Sequence, residues 1–198
     1  MDTPFPEEHL QQKCLDIIKE TLQEKMIKLS IYNFSLREDK ERSCAHVSWN
    51  CSLGGKNIKI SGTGVGIVDA LFVSAVESFS GDYKILEGFN FEDFSLRVKF
   101  KYSRKRQQTD APVEIKIAIA NSRKQKFYFS AQSRSLVSAV IEAIRKALEF
   151  LINIEVAILQ LKKDYNHAKK RNRTDLIQLY TMQLSDLVRI SEYKMKIK

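Results

Sequence analysis

Seven glycines and three prolines in 198 residues leave little material for flexible linkers. Cysteine is equally sparse. Cys14, Cys44 and Cys51 form an odd set without a CxxC pair. That excludes a disulfide frame and predicts reduced thiols rather than a zinc site. The three histidines, His9, His46 and His167, stand far apart, with no cysteine or carboxylate at an obvious ligand spacing. The sequence therefore predicts no metal and no cofactor. No nucleophile–base pair can be assembled, so the chain is read as a non-enzyme. No run of about 18 apolar residues occurs, which excludes a transmembrane helix from the expected elements. Met1-Asp2-Thr3-Pro4-Phe5-Pro6 lacks the basic and apolar segments of a secretion signal, so a cytoplasmic location is expected.

What the chain does contain is a repeat. Asn33-Phe34-Ser35-Leu36-Arg37 returns as Asp93-Phe94-Ser95-Leu96-Arg97, and each copy precedes two strand-like runs and an apolar helix. A fixed repeat means one supersecondary unit used twice. Leu10, Cys14, Ile17, Ile18 and Leu22 predict an amphipathic helix within 1–27. Period-2 alternation predicts a strand over 28–37, with Ile31 opposite Phe34 and Leu36, and another over 45–53. Gly54-Gly55 signals a two-residue hairpin before a third strand at 57–61 and a helix at 66–79. The second unit predicts strands at 91–102, 113–120 and 125–131, then a helix capped by Ser133 or Ser135.

That last helix stays apolar far beyond its counterpart. Leu151, Ile154, Ile158, Leu161 and Tyr165 follow the heptad spacing of a coiled coil. After a basic break at 166–173, Thr174 is the expected cap of a second helix carrying Ile177, Tyr180, Leu184 and Leu187. The expected extension is a helical hairpin over 153–198, projecting from the body or packing on a partner. Its candidate interface residues are Leu151, Ile154, Ile158, Leu161, Ile177, Tyr180, Leu184 and Leu187. The whole reads as an α+β fold: a duplicated βββα unit over 28–152 (units about 28–81 and 91–152), two antiparallel three-stranded sheets with helices between them.

The run Gly64-Val65-Gly66-Ile67-Val68-Asp69-Ala70-Leu71 resembles the Gly-x-Gly-Pro-Val-Asp-Ala motif of the regulatory domain of 2-isopropylmalate and citramalate synthases. Phe94-Ser95-Leu96-Arg97 resembles that family's Tyr-Ser-Val-Arg stretch, and Ser138-Ala139 matches its following helix. The resemblance spans about 28–152. It implies an allosteric, dimerising domain that binds a small amino-acid effector near its strand-to-helix loops and carries no catalytic barrel. Ile67 stands in place of the motif's proline, and Ala131-Gln132-Ser133-Arg134-Ser135 replaces an acidic loop. A buried ammonium group needs an anionic or carbonyl partner, and the second unit has lost its carboxylate. The implied ligand set is Gly62, Gly64, Gly66, Asp69, Ser133, Arg134 and Ser135. The expected function is a homodimeric binding module with a protein partner and a remnant small-molecule pocket.

A competing class follows from charge. Thirty-three Lys and Arg against 24 Asp and Glu give +9, which favours acidic partners. Lys101, Arg104, Lys105 and Arg106 crowd one loop, and Lys169, Lys170, Arg171 and Arg173 surround the hairpin tip. Phosphate contacts from such groups would make the chain a nucleic-acid binder.

Overall fold

The computed structural model describes residues 6–98 and 111–191. Helix α1 (Pro6–Leu22) ends at the last residue of its apolar spacing, short of the expected bound at 27, because Gln23 takes φ 49° and the chain tightens into a 3₁₀ turn, Gln23–Lys25. Sheet A then forms from β1 (Leu29–Asp39), β2 (Cys44–Leu53) and β3 (Lys56–Gly64), antiparallel in the order β1-β2-β3. Gly54 and Gly55, at φ 56° and 84°, make the tight β2–β3 turn that only left-handed residues close easily. Helix α2 (Ile67–Phe79) completes the unit. The second unit repeats the plan with β4 (Phe89–Val98), β5 (Val113–Asn121) and β6 (Lys126–Ser133) in sheet B, followed by helix α3 (Leu136–Lys170).

The duplication extends to a defect in the ladder. In β1 the pairing jumps from Ile31/Cys51 to Asn33/Asn50, and in β4 from Phe91/Ile119 to Asp93/Ala118. Tyr32 and Glu92 are the extra residues of two equivalent bulges. A bulge resets which face each side chain takes. Ile31 therefore shares the inner face with Phe34 and Leu36, pairing with Cys51, Trp49 and Val47. Uninterrupted alternation places it on the opposite face, and the bulge is the reason for the difference.

The two helices lie between the sheets. α2 packs on β3 and β2, and its Phe72 reaches Phe91 at the start of β4, with ring centroids 6.5 Å apart. α3 packs on β6 and β5 and also covers β1 of the other sheet. Its polar residues fasten the connections. Asn153 accepts from Ile27 N–H at 2.8 Å and donates to Ile27 C=O at 2.8 Å. Glu149 accepts from Leu29 N–H at 2.7 Å, and buried Glu155 from Ile85 N–H at 2.9 Å. Each pairing satisfies a backbone group that burial would otherwise leave at a cost of about 1–3 kcal/mol.

α3 runs 35 residues, about 52 Å at the usual helical rise. It continues through the first part of the stretch expected to break it, 166–170, and the reversal falls in the last part, residues 171–173, with Asn172 at φ 52°. Helix α4 (Thr174–Ser191) begins at Thr174, which is thus the first helical residue and not the cap. α4 does not project. It folds back along α3, and its second half is tied to the body. Asn121 Nδ2 donates to Ile190 C=O at 3.0 Å, Gln183 to Glu20 at 3.1 Å, and Lys13 pairs with Asp186 at 2.7 Å. Leu151, Ile154, Ile158, Leu161, Leu184 and Leu187 are buried within the single chain, while Ile177 and Tyr180 are half-buried near the tip. The seam that the heptad spacing specifies is filled within the chain, so these six residues are not exposed to a partner. No helix among the described residues is long and apolar enough to cross a membrane.

Candidate functional site

The two strand-to-helix junctions carry the residues that the resemblance implicates. At the first, Gly62 and Gly64 are not loop residues. They extend β3 three residues past its expected end and pair with Val47 and Ala45. Their inner face meets α2 at very close range. A Cβ on Gly62 would stand 2.4 Å from Ser74 Cβ, and one on Gly64 would stand 2.4 Å from the Ala70 amide nitrogen. Glycine is needed here because the helix lies directly on the strand. The approach lets Trp49 Nε1 donate to buried Ser74 Oγ at 3.2 Å while Ser74 donates to Leu71 C=O at 3.1 Å. Gly66 precedes the helix in an extended conformation, and a Cβ there would meet nothing within 4 Å. Asp69, in the first turn of α2, accepts from Val65 N–H at 3.0 Å. Its carboxylate therefore satisfies the backbone entering the helix and also sits at the positive end of the helix dipole.

The second junction reaches the same end with hydroxyls. Ala131 and Ser133 stand where the first unit has Gly62 and Gly64. Ser133 Oγ accepts from Ser135 N–H at 3.2 Å, and Ser135 Oγ caps α3 by accepting from Ser138 N–H at 3.3 Å. Arg134 is exposed on this turn. A recess of about 540 Å³ opens near the first junction, but on the outer face of sheet A. Gly62 touches it; Asp69, Ser133, Arg134 and Ser135 do not.

The basic clusters separate. Lys101, Arg104, Lys105 and Arg106 lie outside the described residues. Lys169, Lys170, Arg171 and Arg173 are exposed around the α3–α4 reversal. Arg173 is engaged by Asp175 through two contacts, at 3.0 and 2.7 Å, and this pairing holds the Asp175 carboxyl down at about 2.

Two features escaped the sequence. The first is an uncovered apolar strip. Phe94, Leu96 and Val98 of β4 point to the inner face, in register with Ile117, Ile115 and Val113. Ile115 and Ile117 are fully buried, yet Phe94, Leu96 and Val98 remain 37%, 45% and 36% exposed. The equivalent Phe34 and Leu36 of β1 are half-buried and pack on the core. The second concerns His46, which does have ligand-type neighbours: Asp39, Cys44 and His46 converge at the end of the β1–β2 hairpin. The spacing Cys-x-His was visible, because residues two apart on a strand share a face. The approach of Asp39 depended on hairpin register and was not. The other thiols are shielded. Burial, with Asp186 nearby, pushes Cys14 up to about 12, and burial pushes Cys51 up to about 11.

The chain thus consists of two βββα units sandwiching their helices, with glycine or serine at the junctions. The sequence pattern of the LeuA allosteric (dimerisation) domain matches residues 10–152, and the chain belongs to that family. That family is a regulatory domain and not a catalytic one. The match ends within α3, so the second half of that helix and α4 lie beyond it. No curated protein sequence matches the chain at a significant level.

Proposed function

We propose that the chain is a non-catalytic, homodimeric regulatory module that works through protein–protein contacts, with its strand-to-helix junctions forming a small-molecule pocket. The observation that carries the dimer is the uncovered strip on β4. α2 has 13 residues and sets Phe72 against Phe91, whereas the longer α3 reaches β1. Among the described residues, Ile31, Phe34 and Leu36 of β1 are packed against the core, whereas the β4 strip beyond Phe91 is left more open. Apolar side chains lined up on an inner sheet face are costly to leave in water, at roughly 25 cal/mol per Å². A second copy of the chain is the occupant, in keeping with a family described by its dimerisation.

The pocket reading rests on the junction chemistry. Gly66 and Ser135 lead into helix N-termini, which favour anionic groups such as an effector carboxylate. The first junction keeps one carboxylate, Asp69, whose Oδ2 serves Val65 and whose other oxygen can meet an ammonium group. Thermal unfolding of the full chain with millimolar branched-chain amino acids tests this arm. A rise in Tm supports the pocket. An unchanged Tm across the panel would remove the effector from the reading and leave the dimer to be judged by its mass.

A further inference from the structure

We infer that Asp39, Cys44 and His46 form a binding site for a borderline-soft divalent metal ion of the zinc class at the open end of the β1–β2 hairpin. Asp39 and Cys44 are directly paired across the hairpin, and His46 is two residues further along β2. Period-2 geometry puts Cys44 and His46 on the same outer face. The turn 40–43 then brings the Asp39 carboxylate to them. All three side chains are half-buried, and their donor atoms lie within 4.8 Å of one another.

The spacing fits one ion. Sulfur at ~2.3 Å and nitrogen at ~2.0 Å from a tetrahedral zinc stand about 3.5 Å apart. Cys44 Sγ and His46 Nε2 are 3.6 Å apart. The ring is oriented for the task as well. His46 Nδ1 lies 3.1 Å from Thr63 Oγ1 on the neighbouring strand. With Nδ1–H donating to that hydroxyl, the Nε2 lone pair is left for the metal, as in zinc sites whose histidines are fixed from behind. Asp39 is held similarly, its Oδ1 accepting from Arg42 N–H at 3.1 Å.

Charge and donor type choose the ion. A thiolate, a carboxylate and a neutral imidazole together balance a divalent cation. One sulfur, one nitrogen and one oxygen suit zinc, or cobalt as its spectroscopic substitute, rather than calcium or magnesium. Three protein donors leave a fourth position open. A recess on the same face, lined by Ser35, Arg37, Ser48, Ser61 and Thr63, shares His46 with the three donors. The competing account is a thiol–imidazole hydrogen bond with a carboxylate nearby and no metal.

Titration of the reduced full chain with cobalt(II) separates the two. One equivalent is expected to bind, with a thiolate-to-cobalt charge-transfer band in the near ultraviolet and the intense visible bands of tetrahedral cobalt, both removed by zinc. Cys44→Ser is expected to abolish the charge-transfer band, and His46→Ala and Asp39→Asn to weaken binding by about 10-fold or more. Thr63→Val keeps every donor and is expected to weaken binding about 10-fold by freeing the ring. That variant decides the matter if a ligand variant fails to fold. Zinc is also expected to slow alkylation at Cys44, the half-buried thiol, and not to change the slow reaction of buried Cys14 and Cys51. Absence of the charge-transfer band at stoichiometric cobalt, or affinity unchanged by Thr63→Val, would leave only the hydrogen bond.

Discussion

Replacing Gly64 by alanine tests whether the glycines serve packing. The new Cβ would sit 2.4 Å from the Ala70 amide nitrogen, 2.6 Å from Asp69 Oδ2 and 2.7 Å from Ala70 Cα. Two of these are helix backbone, so no side-chain rotation relieves them, and restoring ordinary van der Waals separation of roughly 3.4–3.8 Å moves α2 outward by about 1 Å. Overpacking of this kind costs about 1–3 kcal/mol. The same shift stretches the Trp49–Ser74 hydrogen bond, now 3.2 Å, and leaving a buried indole N–H unpaired costs a further 1–3 kcal/mol or so. The sum, about 2–6 kcal/mol, is a large share of a typical domain's 5–15 kcal/mol or so. Gly66→Ala is the internal control. Gly66 is extended at φ −155°, and a Cβ there is free of contacts, so only a weaker helix cap is lost, at about 1 kcal/mol or less. Urea unfolding of both variants reads the difference. Equal stabilities, or Gly66→Ala the worse of the two, would refute the packing role.

Two further perturbations probe α3. Asn153→Ala removes both partners of the Ile27 backbone and is expected to cost about 2–4 kcal/mol in urea unfolding; a loss below about 1 kcal/mol would contradict the fastening role. Glu142 is held below its ordinary 4.5 by hydrogen bonding to Arg145 at 2.6 and 2.8 Å. A depressed carboxylate stabilises above its unfolded value, and that contribution fades as pH falls through the folded value. With 42% of the Glu142 side chain exposed, the gain stays below about 1 kcal/mol. The stability gap between wild type and Glu142→Gln is expected to close between neutral pH and the acid side of 4.5, whereas a gap that widened would reverse the sign of the argument.

The duplicated architecture was legible because it repeats both a motif and a periodicity. The positions of β1, β2, β5 and α2 followed from alternation and helical spacing. What misled was context. Gly62 and Gly64 read as a loop by composition, yet they are strand residues emptied so that Ser74 and Ala70 can approach. The bulges at Tyr32 and Glu92 have no residue signature, and they reverse the facing of everything before them. The heptads after Leu151 specified an apolar seam correctly, but spacing does not say whether the chain's own α4 or another molecule fills it. The same ambiguity hid the β4 strip. Phe94, Leu96 and Val98 alternate like any core strand, and only their exposure shows that no described element covers them. Asp39 was invisible as a neighbour of Cys44 and His46 because hairpin register sets that distance.

The mass of the chain in solution, measured by light scattering for wild type and for Leu96→Arg, tests the central claim most directly. Leu96 is 45% exposed, so the arginine fits the isolated fold while placing a charge in the middle of the strip. The account predicts wild type at twice the 22.9 kDa chain mass and a folded monomer for Leu96→Arg. A monomeric wild type, or a dimer indifferent to the substitution, would contradict it.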